Sequence, residues 1–145
     1  MENNFVKVHS NKDIIISIIV IVAGIAMILV NTMLGIFIIL CGLLFFLLYK
    51  SGYKYDNKGV KLKKKSLELS RTCQQSVLDF LNGQNMQLNL IHGNEGGTFM
   101  LEVWFNKEEK IAYAQASVYQ ELGYRKITEI VKLNASNAQL LIEKI

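Results

Sequence analysis

The chain has no proline, and its 145 residues include only two cysteines, two histidines and one tryptophan. Without proline, nothing in the sequence forces a helix to kink or removes a donor from a strand. The two cysteines exclude a disulfide framework. Cys41 lies in apolar sequence and Cys73 in polar sequence, so both are expected as free thiols in a reducing compartment. Cys73 falls near a helix start with no paired base, which favours a packed thiol over a nucleophile. His9 and His92 have no partner at ligand spacing, so no metal site is expected. The most consequential absence is of charge. Residues 14–49 are 36 consecutive positions without Asp, Glu, Lys or Arg.

One helix over that run would be roughly 54 Å long, whereas the hydrocarbon core of a bilayer is about 30 Å thick. Asn31 and Thr32 are the one adjacent polar pair in the run. A turn there divides it into two spans, residues 14–30 and 33–49, folded back as a transmembrane hairpin; one long tilted span is the competing reading. Gly24, Gly35 and Gly42 would let the two helices approach closely, although no GxxxG pattern is present. The run is too long for the apolar region of a signal peptide, which is about 7–15 residues. Neither span contains an ionisable residue, which argues against a transporter or channel acting alone.

What is present is an uneven distribution of charge. The net charge is +4, yet residues 50–71 hold eight basic side chains against Asp56 and Glu68, while residues 72–145 hold six basic and eight acidic ones. The positive charge is a collar beside the apolar run, a pattern that fits a membrane surface better than nucleic acid. With Lys7 and Lys12 ahead of the first span and no charge in the connecting turn, the positive-inside rule puts both termini in the cytoplasm. Lys50, Lys54, Lys61, Lys63, Lys64 and Lys65 are the candidate contacts to lipid headgroups. Each is worth about 1 kcal/mol near an anionic leaflet. The plainer reading is that they only hold the tail inside.

The expected organisation is a hairpin over residues 1–50 and a cytoplasmic α+β domain over 51–145. The domain pattern predicts a small antiparallel sheet covered by two helices, in the order β-β-α-β-β-β-β-α. Tyr53 and Tyr55 begin a first hairpin through the turn Asp56-Asn57-Lys58-Gly59, with Val60, Leu62, Leu67 and Leu69 on its far side. Thr72 and Gln75 fit a capping box for a helix carrying Val77, Leu78 and Leu81 and ending at Asn82-Gly83. Met86, Leu88 and Leu90 alternate as a strand. Phe99, Leu101, Val103 and Phe105 share one face of the next strand, and Ala112, Ala114, Ala116 and Val118 offer a small-residue face against which a helix can pack. Ile127, Val131 and Leu133 read as one face of a last strand over 126–133. Ser136 and Gln139 predict the cap of a final helix with Ala138, Leu141, Ile142 and Ile145 on its apolar stripe.

Residues 93–97 are rich in glycine but lack the lysine and hydroxyl of a phosphate-binding loop, and no helix follows, so a hairpin connection is expected. Trp104, Tyr113, Tyr119 and Tyr124 either fill the second face of the sheet and its edges or, if that face is open, dock a partner or the membrane interface.

The stretch Lys110-Ile111-Ala112-Tyr113-Ala114-Gln115, followed by Tyr119 and Tyr124, resembles a pattern in small bacterial membrane proteins of the Bacteroidetes type. The resemblance covers most of the chain. It implies a two-span amino-terminal hairpin in the inner (cytoplasmic) membrane, a short α+β tail and a final helix, and it transfers no catalytic residue. The expected role is a non-enzymatic, membrane-anchored interaction module, with no cofactor and no nucleic acid, whose partners are membrane lipid and another membrane protein or a second copy of itself. The alternative is a sensor of anionic lipid or envelope stress that uses the basic collar.

Overall fold

A computed structural model describes residues 5–56, 59–85, 87–93 and 99–145. The chain forms two compact units, Met1–Lys61 and Leu62–Ile145.

The first unit runs β1 (Phe5–Val8), α1 (Asn11–Ile28), α2 (Thr32–Leu48), β2 (Gly52–Tyr55). Helix α1 ends at the Leu29 C-cap. Asn31 then caps α2, its side-chain oxygen accepting from the Leu34 amide at 3.1 Å. The helices pack antiparallel through their smallest residues. The buried positions are Asp13, Ser17 and Gly24 on α1 and Gly35 and Gly42 on α2. Ile15, Ile16, Ile19, Val22, Phe37 and Leu40 are exposed. A helix pair in water hides its large apolar side chains; this one hides glycine and exposes isoleucine. Helix α1 has the length and apolarity to cross a membrane, and α2 is a shorter apolar helix of 17 residues.

Strand β2 does not begin the hairpin expected with residues 60–69. It pairs antiparallel with β1, in the register Phe5↔Tyr55 to Val8↔Gly52. A strand pair therefore closes the open end of the helical hairpin, and the first compact unit runs to Lys61. Four residues, three of them apolar and not alternating, are too short for periodicity to reveal β1.

The second unit is a five-stranded antiparallel sheet ordered β3 (Lys63–Leu69), β4 (Phe99–Asn106), β5 (Ile111–Gln120), β6 (Gly123–Lys126), with β7 (Val131–Lys132) also paired to β5. Helices α3 (Gln74–Leu81) and α4 (Ala135–Lys144) share one core with one face of it. That core joins Leu67, Leu69, Phe99, Leu101, Val103 and Phe105 to Val77, Phe80, Leu141 and Ile142. Burying such a side chain contributes about 1.5–3 kcal/mol. Helix α4 lies on β5, whose alanines at 112, 114 and 116 are fully buried and leave room for it.

Three expectations about this unit change. Residues 87–90 form no strand, and Met86 lies outside the described residues. The Gln87 amide is taken by the Asn85 side chain, and the Leu88 carbonyl by the Lys144 ammonium. Side chains there occupy groups that a ladder would need. A single bridge, Leu69 to His92, follows. Second, the expected strand over 126–133 is two short ones. Between them the Ala116 amide donates to Thr128 Oγ1 at 2.9 Å, and Gln115 Nε2 donates to the Thr128 carbonyl at 3.1 Å. These bonds hold the segment against β5 without a continuous ladder, and Ile127 is exposed while Leu133 is buried. The element order after α2 still reads β-β-α-β-β-β-β-α, but the missing strand at 87–90 and the divided last strand offset each other.

Third, the caps shift. Ser70, not Thr72, caps a 3-10 turn over Arg71–Cys73 that leads into α3, and Asn134, not Ser136, caps α4, accepting from the Asn137 amide at 2.8 Å. Gln75 and Gln139, the expected reciprocal partners, bond instead to Asp79 and Glu143 one turn ahead. Helix α3 ends at Asn82 as expected, and Gly83 is in the left-handed region with φ +74°. Of the glycine-rich segment only Gly93 is described, and Asn57 and Lys58 of the first turn are also outside the described residues.

The β5–β6 connection is the two-residue turn Glu121-Leu122, with φ +46° and +78°. Both residues sit where glycine or asparagine is favoured. Leu122 is 96% exposed, so its side chain gains nothing from packing. Leu122→Gly is expected to stabilise the protein by about 1 kcal/mol, read as a rise in melting temperature.

Candidate functional site

The site begins where α1 and α2 come together at the strand end of the hairpin. Ser10 and Asp13 form a capping box: Asp13 N–H donates to Ser10 Oγ at 3.2 Å, and Ser10 N–H donates to Asp13 Oδ2 at 2.8 Å. The same carboxylate reaches across to the other helix. Ser51 N–H donates to Oδ2 at 2.9 Å and Ser51 Oγ–H to Oδ1 at 2.7 Å. Asp13 is 2% exposed, so its charge is spent on donors of Ser10 and of Ser51, 38 residues away, and is not presented outward. Beneath it, Ser17 Oγ–H donates to the Asp13 carbonyl at 2.8 Å. This carboxylate clamp was missed as a site, although the Ser10-x-x-Asp13 spacing announces half of it; the other half, Ser51, has no local signal.

Around the clamp lies an aromatic belt. Phe45 stacks on Tyr49 at 4.8 Å, His9 on Phe46 at 4.6 Å, and Phe5 meets Tyr55 edge-on at 5.4 Å. Lys7, Lys12, Lys50 and Lys61 are exposed and Lys54 is partly exposed. Lys61 Nζ–H donates to Asn11 Oδ1 at 3.0 Å, which returns the chain to the start of α1.

The six lysines singled out from the sequence divide between the units. Lys50, Lys54 and Lys61 belong to the first and Lys63, Lys64 and Lys65 to the second. The triplet is not one patch, because successive strand residues face opposite ways. Lys64 pairs with Glu102 and lies 5.1 Å over the Trp104 ring, while Lys65 reaches the Ile145 carbonyl. Both ammonium groups are engaged within their own unit.

The aromatic set is likewise divided. Trp104 opposes Tyr113 and Tyr119 opposes Tyr124 across adjacent strands. All four project from the sheet face that carries no core helix, with Gln115 and Ser117 between the two pairs on β5. Trp104 is only 5% exposed. Tyr119 and Tyr124 meet edge-on at 5.4 Å. Burial raises the Tyr124 phenol above its ordinary value, with Glu68 and Tyr119 adding to the shift. The phenol stays neutral at physiological pH and stabilises the fold in that form. As pH rises past the unfolded value of about 10, that contribution falls away.

Cys73 is a packed thiol, its Sγ–H directed at the Ser70 carbonyl at 3.0 Å, and Cys41 is exposed on α2. Among the described residues no group of three or more His, Cys, Asp or Glu side chains is placed to hold a metal ion. A shallow depression of about 380 Å³ is lined by Gln87, Leu88, Asn89, Leu140 and Lys144, and the Lys144 ammonium in it is bound to the Leu88 carbonyl. The arrangement with the most polar organisation is therefore the clamp, belt and lysines at the base of the hairpin. Comparison of the chain with protein-family models, curated proteins and solved structures finds no match.

Proposed function

We propose that this protein is a membrane-anchored interaction module, in which α1 and α2 both cross the bilayer of a bacterial inner membrane and hold the α+β unit at its cytoplasmic face. The observation that carries this reading is the inverted packing of the hairpin, with glycine inside and large aliphatic residues outside along both helices. At 1.5 Å per residue the helices are about 27 and 26 Å long, enough to match a thin hydrocarbon core. The two ends of the hairpin differ in the way an interface requires. The strand end carries tyrosines and lysines, while residues 29–31 at the turn carry no charge. The second unit, with its closed core, serves as the surface for another membrane protein or a second copy of the chain.

Topology and partnership are tested separately. In a Cys41→Ser background, Asn31→Cys is expected to react with a membrane-impermeant maleimide added to intact spheroplasts. Reaction only after lysis, or release of the protein from membranes by alkaline carbonate, removes the two-span reading. Affinity purification in mild detergent is expected to yield a stoichiometric partner or a homo-oligomer. Recovery of a bare monomer under several extraction conditions defeats the module.

A further inference from the structure

We propose that the base of the hairpin is a binding collar for acidic phospholipid headgroups, formed by Lys7, Lys12, Lys50, Lys54 and Lys61 of the first unit and not by the Lys63-Lys64-Lys65 triplet. The inference rests on the membrane reading above and specifies its ligand. Strand pairing is what assembles the collar. Lys7 on β1 and Lys54 on β2 are 47 positions apart in sequence, yet their strands are adjacent; with Lys7 opposite Tyr53 and Lys54 opposite Val6, the two cations leave from opposite faces of the ribbon. Lys12 stands in the first turn of α1, Lys50 follows α2, and the bond to Asn11 brings Lys61 to the same end. Set against these cations are two described carboxylates, Asp13 and Asp56. Asp13 is buried and bonded to Ser10 and Ser51, so of these two described carboxylates it is Asp56 that is exposed. The positive end of the α1 dipole is likewise taken by its own cap. The surface offered to the leaflet is thus strongly cationic and lies level with Tyr49, Tyr53 and Tyr55, residues that favour the headgroup region. Phosphate-bearing lipids are the anions concentrated at that depth. In the triplet, by contrast, Lys64 is neutralised by Glu102, and all three lysines belong to the other unit.

The test uses full-length protein in phosphatidylcholine bilayers doped with spin-labelled phosphatidylglycerol or spin-labelled phosphatidylcholine, reading the motionally restricted fraction by electron paramagnetic resonance. Phosphatidylglycerol is expected to associate about fivefold more strongly at low salt, falling towards parity in molar salt. Lys12→Gln/Lys50→Gln/Lys54→Gln is expected to bring the ratio below about twofold, and Lys63→Gln/Lys65→Gln to leave it unchanged. All five positions carry solvent-accessible side chains, and circular dichroism verifies that the variants fold. Equal association of the two labelled lipids with the wild type, or an equal loss in the second variant, overturns the collar while leaving the anchor intact. Failure of the protein to float with the vesicles overturns both.

Discussion

Gly35→Leu is expected to part α1 from α2. A Cβ at position 35 would lie 2.5 Å from Ile28 Cγ1, 2.6 Å from the Ile28 backbone nitrogen and 2.8 Å from the Gly24 carbonyl. Two of those neighbours are backbone atoms, so no rotamer change relieves the clash and the helices must move apart. Gly24 is its counterpart, with a Cβ there 2.7 Å from Ile39 Cγ1 and 2.9 Å from the Ile39 nitrogen. Overpacking costs about 1–3 kcal/mol where a core can shift. The upper part of that range applies here because two of the atoms met are backbone, and in the proposed bilayer setting no hydrophobic term replaces lost contact. Thermal unfolding of the detergent-solubilised protein is expected to show an earlier loss of hairpin helicity, with the second unit melting as before. Gly42→Ala is expected to be milder, since a Cβ there meets the Ile21 and Val20 side chains and clears the backbone by 3.3 Å. Equal melting of wild type and Gly35→Leu would mean that the helices do not pack as described.

Removing the Asp13 carboxylate is expected to release the base of the hairpin. Asp13→Ala leaves the Ser10 and Ser51 amides without their carboxylate acceptor, while the hydroxyl of the exposed Ser51 keeps Ser10 Oγ at 2.9 Å. Hydrogen bonds to a charged group are worth about 1.5–3 kcal/mol and unsatisfied donors cost a similar amount, so a total loss of about 3 kcal/mol is reasonable after relaxation. The local consequence is larger than the global one. Strands β1 and β2 have four residue pairs and no third strand, and so short a ribbon is not stable alone. Hydrogen exchange at Tyr53 and Lys54 is expected to accelerate at least tenfold in Asp13→Ala, with exchange in β4 and β5 unchanged. Asp13→Asn, which keeps one acceptor oxygen, is expected to fall between. The same release would scatter Lys7 and Lys54, so Asp13→Ala also predicts a weaker preference for acidic lipid without the loss of a single cation.

The parts of the fold legible in the sequence are those fixed by local chemistry. The apolar run, its break at Asn31, the alternation of Phe99 to Phe105, the small-residue face of β5 and the stripe of α4 all appear where the pattern places them, because each is a periodicity of 2.0 or 3.6 read within one element. Both caps shifted by two residues because several hydroxyl and amide side chains stand near each helix start and only the backbone path selects among them. The pairing of β2 escaped notice for a different reason. Tyr53 and Tyr55 have two possible partners, a nearby segment across a plausible turn and a distant one across two helices, and loop length alone favours the near one. The helical hairpin reverses that preference by delivering Val8 and Gly52 to the same place.

The candidate site shows the same division. The triplet Lys63-Lys64-Lys65 draws the eye because its charges are contiguous in sequence, but contiguity along a strand means alternation across a sheet. The collar draws no attention because its lysines are dispersed over 55 positions from Lys7 to Lys61.

The amino-acid sequence alone was enough to specify an apolar helical segment too long for one span, an uneven placement of charge and a mixed α+β tail, since these depend on side-chain polarity and short-range periodicity. Tertiary structure alone decided that β1 joins β2, that Asp13 is spent internally across the two helix ends, and that Lys64 is paired with Glu102, since each depends on groups distant in the chain meeting within hydrogen-bonding reach.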